Sequence, residues 1–175
     1  MDSSDFKKFV SARCSVREYA EAPLSEDEIA YIVSCAGTAP SAGNLEAWDT
    51  VVVTDSEARF ALADAALGQE HVGAAPALFV VCANYVRSMS KYGERGILYA
   101  VQDATIACTY MMLAAHSHGL STCWTGAFDE DAVREILDLP PHVRPIAILA
   151  AGYGHEPAQH TGRMEIAEHL HHEVW

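Results

Sequence analysis

Ile97-Leu98-Tyr99-Ala100-Val101-Gln102-Asp103-Ala104-Thr105-Ile106-Ala107-Cys108-Thr109-Tyr110-Met111-Met112-Leu113-Ala114-Ala115-His116-Ser117-His118 reads as one long helix, apolar nearly all round. A helix of that kind must be covered on every side. The rest of the chain offers few elements for the task, so a second subunit is expected to supply part of the cover. By length the stretch would also span a bilayer. Gln102, Asp103, two threonines and many alanines instead favour a buried helix of a soluble protein.

Around this centre the elements can be placed by pattern. Phe6, Phe9 and Val10 sit at helical spacing and deliver Arg13 near the end of a first helix. Ser25-Glu26-Asp27-Glu28 forms a capping box, with Leu24 and Ile29 placed as its hydrophobic staple. The helix it starts should bury Ile29, Ile32, Val33 and Ala36, and Gly37 is expected to end it in a left-handed conformation. Trp48 to Thr54 is a β-branched run and reads as a strand. Phe60 to Leu67 reads as a helix, and Pro76 bounds a strand from Ala77 to Ala83 that is covered on both faces. Val86 to Gly96 is polar and contains glycine, so it reads as a loop or lid. Strands follow over Leu120 to Thr125 and Pro145 to Ala151, with a short helix opened by Asp129 between them. The tail from His155 is polar and ends in Glu173-Val174-Trp175, which suggests docking of the terminal tryptophan on a surface, such as that of another subunit. Helix pairs alternate with strands without a steady βαβ series, which favours an α+β sandwich in a single domain over residues 1–175.

The 175 residues fit one domain with a real core, and 50% hydrophobic against 20% charged residues mark it as globular. With 24 acidic and 11 basic residues the net charge is -13, which argues against nucleic acid and anionic membranes as partners. Five cysteines, none in a CxxC, point to a reduced cytoplasm, and the acidic start Met1-Asp2-Ser3-Ser4-Asp5 has no apolar signal region. There is no P-loop, no GxSxG elbow and no dinucleotide fingerprint, since Pro157 stands where the third glycine after Gly152 and Gly154 would fall. None of the nine histidines belongs to a complete set at metal-ligand spacing, so no metal site is expected.

Three stretches carry chemistry. Arg13-Cys14-Ser15-Val16-Arg17 places two guanidiniums and a hydroxyl within five residues, which suits a phosphate and an electron-rich ring edge. Pro40-Ser41-Ala42-Gly43-Asn44, running on to Trp48, is a small-residue loop in which Ser41 and Asn44 can hydrogen-bond a flat ligand. In Thr125-Gly126, at the end of a strand, the glycine can present its backbone N–H to a ring atom. Arg163 stands apart in the tail, placed either to close on a phosphate or to be solvated.

In this order the stretches resemble the nitroreductase family of FMN-dependent oxidoreductases, over almost the whole chain. Arg13, Cys14, Ser15 and Arg17 resemble its arginine-x-serine-x-basic motif, and Ala39 to Trp48 its second motif. Tyr92 to Ala104 resembles the approach to its central helix, Gly119 to Phe128 its strand beside the flavin, and Pro140 to Tyr153 with Arg163 its C-terminal strand and phosphate-binding arginine. The resemblance implies a three-layer sandwich with a mixed, mainly antiparallel central sheet, in an interlocked homodimer with FMN at the interface. It implies that Arg13, Ser15 and Arg163 hold phosphate and ribityl, that Arg17 lies near N1/O2, and that the Thr125–Gly126 backbone faces N5/O4. Pro40, Ser41 and Asn44 would reach the flavin of the other subunit, and Cys14 belongs to the same cofactor-binding set.

The implied reaction is ping-pong: NAD(P)H gives hydride to the flavin, and a nitroaromatic, quinone or similar small acceptor takes the electrons. Arg17 and Gly126 would tune the flavin, and no protein acid or base is required. Tyr92 and Arg95, in the variable segment, are candidate substrate contacts, although Arg95 would equally pair near the helix start. The alternative is a flavin-binding relative without nitroreductase activity, such as a dehalogenase or flavin-destroying enzyme, or a carrier or sensor without turnover. The family usually has Gln-Pro before the tryptophan, where this chain has Glu46-Ala47. A Glu46 charge facing the ring would lower its reduction potential.

Overall fold

The computed structural model describes residues 2–155 and 161–175. The long apolar stretch is α6 (Arg95–Ser117), and it lies across a four-stranded sheet. The strands are β1 (Trp48–Val53), β2 (Ala77–Asn84), β3 (Ser121–Thr125) and β4 (Val143–Gly152), in the order β1-β2-β4-β3. Every ladder is antiparallel. Among the described residues, the parallel component of the expected mixed sheet is a single bridge from Ser15 to Thr122. β2 is buried along nearly its whole length because helices cover both faces, which is why it shows no alternation.

One face of the sheet carries α6 and α2 (Glu26–Ala36). Ala100, Ala104, Ala107, Cys108, Met111 and Ala115 of α6 meet Phe79, Val81, Ala147 and Leu149 of the sheet. The small alanines let the helix lie close to the strands. The opposite face packs Leu78, Val80, Ile148 and Ala150 against Leu62, Val72 and Val133. Those come from α3 (Ser56–Ala65), α4 (Glu70–Ala74) and α7 (Glu130–Ile136). α1 (Ser3–Ala12) is pinned to the end of α6, where Phe9 lies 4.9 Å from the His116 ring and its carbonyl shares a 3.2 Å hydrogen bond with Nε2.

The Ser25 capping box forms as expected, with Ser25 and Glu28 bonding each other's backbone N–H groups. Ile32 and Ala36 are fully buried, and Ile29 and Val33 pack partly buried beside them. Three local expectations are corrected, and one helix was not foreseen. Gly37 ends α2 in a right-handed conformation (φ -62°), because its N–H continues the helical pattern to Val33 and Cys35. The helix expected from Phe60 begins at Ser56, where Asp55 caps it through the Ala58 N–H, and ends at Ala65, short of Leu67. α4 was not legible at all in so short a stretch. The expected lid from Val86 to Gly96 is instead α5 (Tyr85–Tyr92), capped by Asn84 through the Arg87 N–H, followed by the turn into α6. Gly96 reads as a loop residue in sequence but marks a helix crossing. A Cβ there would come within 2.6 Å of the Met89 backbone nitrogen.

Candidate functional site

The arginine stretch is laced to the end of the sheet. α1 stops at Arg13, whose backbone turns extended. Ser15 then bridges Thr122, and the Val16 N–H donates to the Thr122 carbonyl at 3.0 Å. Further on, Tyr19 Oη donates to the Val16 carbonyl at 2.8 Å, and the Ala20 N–H to Tyr153 at 2.7 Å. This fixes Arg13, Cys14 and Ser15, all half-buried, and the exposed Arg17 along the outer side of β3. Burial raises the Cys123 thiol above its ordinary range while Arg17 and Arg13 pull it back, so both guanidiniums act on the middle of β3. Ion pairs among the described residues use Arg87, Arg134 and Arg144. Arg13 and Arg17 have no carboxylate within salt-bridge distance among them, in a chain with 24 acids and 11 bases.

Thr125 and Gly126 lie where β3 ends. β4 continues past it, so the edge of Pro145 and Ile146 is left without a β3 partner. Gly126, Phe128, Arg144, Pro145 and Ile146 line a cleft of about 380 Å³ there, with Val101 of α6 on its wall. Gly126 is exposed, and a Cβ added to it would meet only Trp124, at 3.5 Å. Neither the backbone nor the packing of this chain demands glycine, whereas the close approach of a flat ligand benefits from it.

The second loop is held by Asp103, a side chain of α6 only 2% exposed. Its Oδ1 accepts from the Ala42 N–H at 2.9 Å and its Oδ2 from the Ala47 N–H at 3.1 Å. Between these anchors Gly43 takes φ 61° beneath Tyr92, whose hydroxyl a Cβ would strike. Asn44 and Glu46 also sit at positive φ. Ser41 Oγ is taken up locally by the Glu46 N–H at 3.0 Å. Pro40, Ser41 and Ala42 line a cleft of about 450 Å³ with Val101, Gln102 and Ile106. A proline at position 47 would abolish the N–H that Asp103 accepts. The departure Ala47 therefore has a structural counterpart on α6.

The other sequence candidates fall as follows. Tyr92 packs over Gly43 and against Tyr99, edge-on at 4.9 Å. Arg95 donates to Tyr99 Oη at 2.7 Å, the pairing role near the helix start. Arg163 donates to the carbonyls of Thr161 and Gly162 next to it and is joined to no other candidate by a hydrogen bond among the described residues. Ser15 and Ser41 stand at diagonally opposite corners of the sheet. Ser15 is level with Thr122, Ala151 and Ala77, whereas Trp48, which follows the second loop, is level with Ala83 and Arg144. Six residues along and four strand spacings across separate the corners, about 20 Å by about 19 Å.

A model of the nitroreductase family matches residues 10–74 and 65–153. The chain belongs to the nitroreductase family. It is 30% identical over 190 residues to a NADH dehydrogenase of Thermus thermophilus, covering 93% of each chain. It is 29% identical over 163 residues to an FMN reductase (NADPH) of Bacillus subtilis, covering 85% of this chain and 64% of that one. Among solved structures, NfrA1 of B. megaterium superposes with a TM-score of 0.91 at 27% identity, covering 98% of this chain and 75% of that one.

Sequence reasoning missed two members of this region. Asp103 looked like one polar residue on an apolar helix, and its spacing to Ala42 gives no local signal. His71 was one of nine histidines. It is buried, and its Nε2 shares a 2.9 Å hydrogen bond with Thr125 Oγ1. Burial, then the nearby Arg17 charge, holds its pKa below the ordinary histidine value. The unfolded chain therefore binds this proton at higher pH than the folded protein does. Stability from this group is complete at neutral pH and declines as pH falls through the ordinary histidine range near 6.5. Urea midpoints measured between pH 7.5 and 5 should fall in wild type, and more steeply than in His71→Gln.

Proposed function

We propose that this protein is an FMN-dependent NAD(P)H oxidoreductase, one domain per chain, acting as a cytoplasmic homodimer on a small electrophilic acceptor such as a nitroaromatic or quinone. The observation that carries this reading is the pair Arg13 and Arg17, which among the described residues of this strongly acidic chain have no carboxylate at salt-bridge distance. Guanidiniums left so are available to bind an anion from outside in bidentate fashion. The relatives whose names include FMN reductase and NADH dehydrogenase support the identity of that anion.

FMN held here would supply the hydride acceptor for the nicotinamide and the electron donor for the small acceptor. Arg13 and Ser15 would bind its phosphate and ribityl, joined by Cys14 backbone and by Arg163 from the tail. Arg17, on the same extended segment, would stabilise negative charge at the N1/O2 edge without reorganising. The exposed Gly126 N–H would address N5/O4, with no side chain in the way. Pro40, Ser41 and Asn44 would serve the partner's flavin, since their corner is too distant from Arg13 for one ring to meet both within a chain. A two-fold axis would bring each loop to the partner's arginine corner. The exposed apolar residues agree with such an arrangement. Ile97, Leu98 and Tyr110 of α6 face outward, and the tail exposes Met164, Ile166, Leu170, Val174 and Trp175, the last at 99%. Five free cysteines, three of them buried, support a reducing compartment.

The test is an absorbance spectrum of purified protein, reconstituted with FMN and then given NADH or NADPH without oxygen. Flavin bands that bleach support the reading and identify the donor; protein that takes up no FMN overturns it. Gly126→Ala should fold with an unchanged melting temperature, because the Cβ has room, yet bind FMN about tenfold more weakly by titration. Glu46 is exposed with its side chain outside any hydrogen bond among the described residues, so it remains free to act on the ring. Glu46→Gln should raise the flavin midpoint potential in a redox titration, and an unchanged potential would remove Glu46 from the site.

A further inference from the structure

The turn that carries Gly126 is gripped from behind by the short helix α4 and the residue that precedes it. His71 Nε2 shares a hydrogen bond with Thr125 Oγ1 at 2.9 Å, on one side of the glycine. Gln69 Nε2 donates to the Ala127 carbonyl at 3.0 Å, on the other side. The same amide group donates to the Ala66 carbonyl at 2.8 Å, which fixes Gln69 itself. Two residues further on, the Asp129 N–H donates to the Ala65 carbonyl at 2.7 Å. Thus both neighbours of Gly126 are tied, through side chains more than fifty residues away in sequence, to the corner between α3 and α4. His71 and Thr125 are both buried, so their bond is shielded from competing water. Gly126 lies in irregular chain after β3, where no ladder would otherwise hold its peptide.

We propose that Gln69 and His71 are positioning residues that set the Thr125–Ala127 turn, so that the Gly126 N–H is aimed at the flavin before the flavin arrives. The inference rests on the flavin reading above and assigns it a second layer. A donor fixed in advance stabilises developing charge without reorganising during the reaction, and a small misplacement of such a group is costly. The two residues touch neither cofactor nor substrate. They act through Thr125 and Ala127.

The test compares His71→Leu, His71→Gln and Gln69→Met with wild type. Two readouts are taken: FMN affinity, by fluorescence titration of flavin-stripped protein, and the rate of anaerobic flavin reduction. Leucine fills the space of the ring without a polar atom, whereas a glutamine amide reaches the place of Nε2. His71→Leu should weaken FMN binding and slow reduction about tenfold each, with KM for the nicotinamide unchanged. His71→Gln should stay within about twofold of wild type in both, and Gln69→Met should lose about threefold in both. Wild-type values in His71→Leu, or equal losses in His71→Leu and His71→Gln, overturn the assignment. If His71→Leu does not fold, Gln69→Met decides: unchanged affinity and rate overturn the grip. Wild-type protein that binds no FMN overturns the flavin reading and this inference together. Flavin-loaded wild type beside unaltered variants overturns this inference alone.

Discussion

Asp103→Ala is expected to destabilise the protein by about 3 kcal/mol and to remove measurable order from the second loop. Asp103 is buried, and both its oxygens are used, one at each end of the Ala42–Ala47 segment. Alanine abolishes two hydrogen bonds to a carboxyl group and strands the Ala47 N–H in a buried position, each worth on the order of 1–3 kcal/mol before relaxation. The loop between these anchors carries three residues at positive φ, Gly43, Asn44 and Glu46. Such a conformation persists only when its surroundings impose it. Urea unfolding should show the stability loss, and a melting temperature lower by about 10 °C is expected for a chain of this size. Because Ser41 and Asn44 are proposed to serve the partner's flavin, FMN affinity should fall as well. Asp103→Asn keeps one acceptor oxygen but presents its NH₂ to the other backbone N–H, so it should recover only part of the loss. A stability equal to wild type in Asp103→Ala would mean that the loop holds itself.

What could be read in the sequence was what chain neighbours decide. The Ser25–Glu28 box is a contact across three residues, and it formed as its spacing predicts. The β-branched run from Trp48 became the edge strand β1, and the unbroken apolar run from Ala77 became β2, whose burial on two faces that series records. α6 was legible for the same reason. The segment from Val86 to Gly96 was misjudged because its two glycines look like loop punctuation. Gly93 does end α5 at positive φ, but Gly96 is there to let α6 pass the Met89 backbone, a demand set by a neighbouring helix. At the site, Arg13, Ser15 and Arg17 were legible as a cluster of function-bearing types close in sequence. Asp103 and His71 were not, since the first acts on residues about sixty positions away and the second on Thr125, 54 positions away. Their roles arise only when α6 and α4 are laid against the sheet. Arg163 was named by resemblance, and its described bonds lie within its own tail.

Arg13→Ala and Arg17→Ala should both leave the fold intact and should damage different properties. Neither side chain has an ion pair among the described residues, so neither substitution breaks an internal charge contact. The segment is instead held through backbone, by the Val16 N–H to Thr122 and by Tyr19 Oη to the Val16 carbonyl. Melting temperatures of the two variants should accordingly match wild type, or exceed it slightly where the two cations repel each other. Arg13, beside the end of α1, is assigned to the phosphate. Loss of a charge-assisted pair there is worth about 1.5–3 kcal/mol, so FMN affinity should fall by about 10- to 100-fold. Arg17 follows two residues after Ser15 and is assigned to the ring edge where negative charge appears on reduction. Its removal should cost less affinity for oxidised FMN, slow flavin reduction by about 100-fold, and shift the midpoint potential downward. Anaerobic stopped-flow reduction at saturating FMN separates the two: Arg13→Ala should recover near wild-type rates once loaded, and Arg17→Ala should not. An exchanged pattern would mean that the segment runs along the flavin in the opposite sense, with phosphate at Arg17.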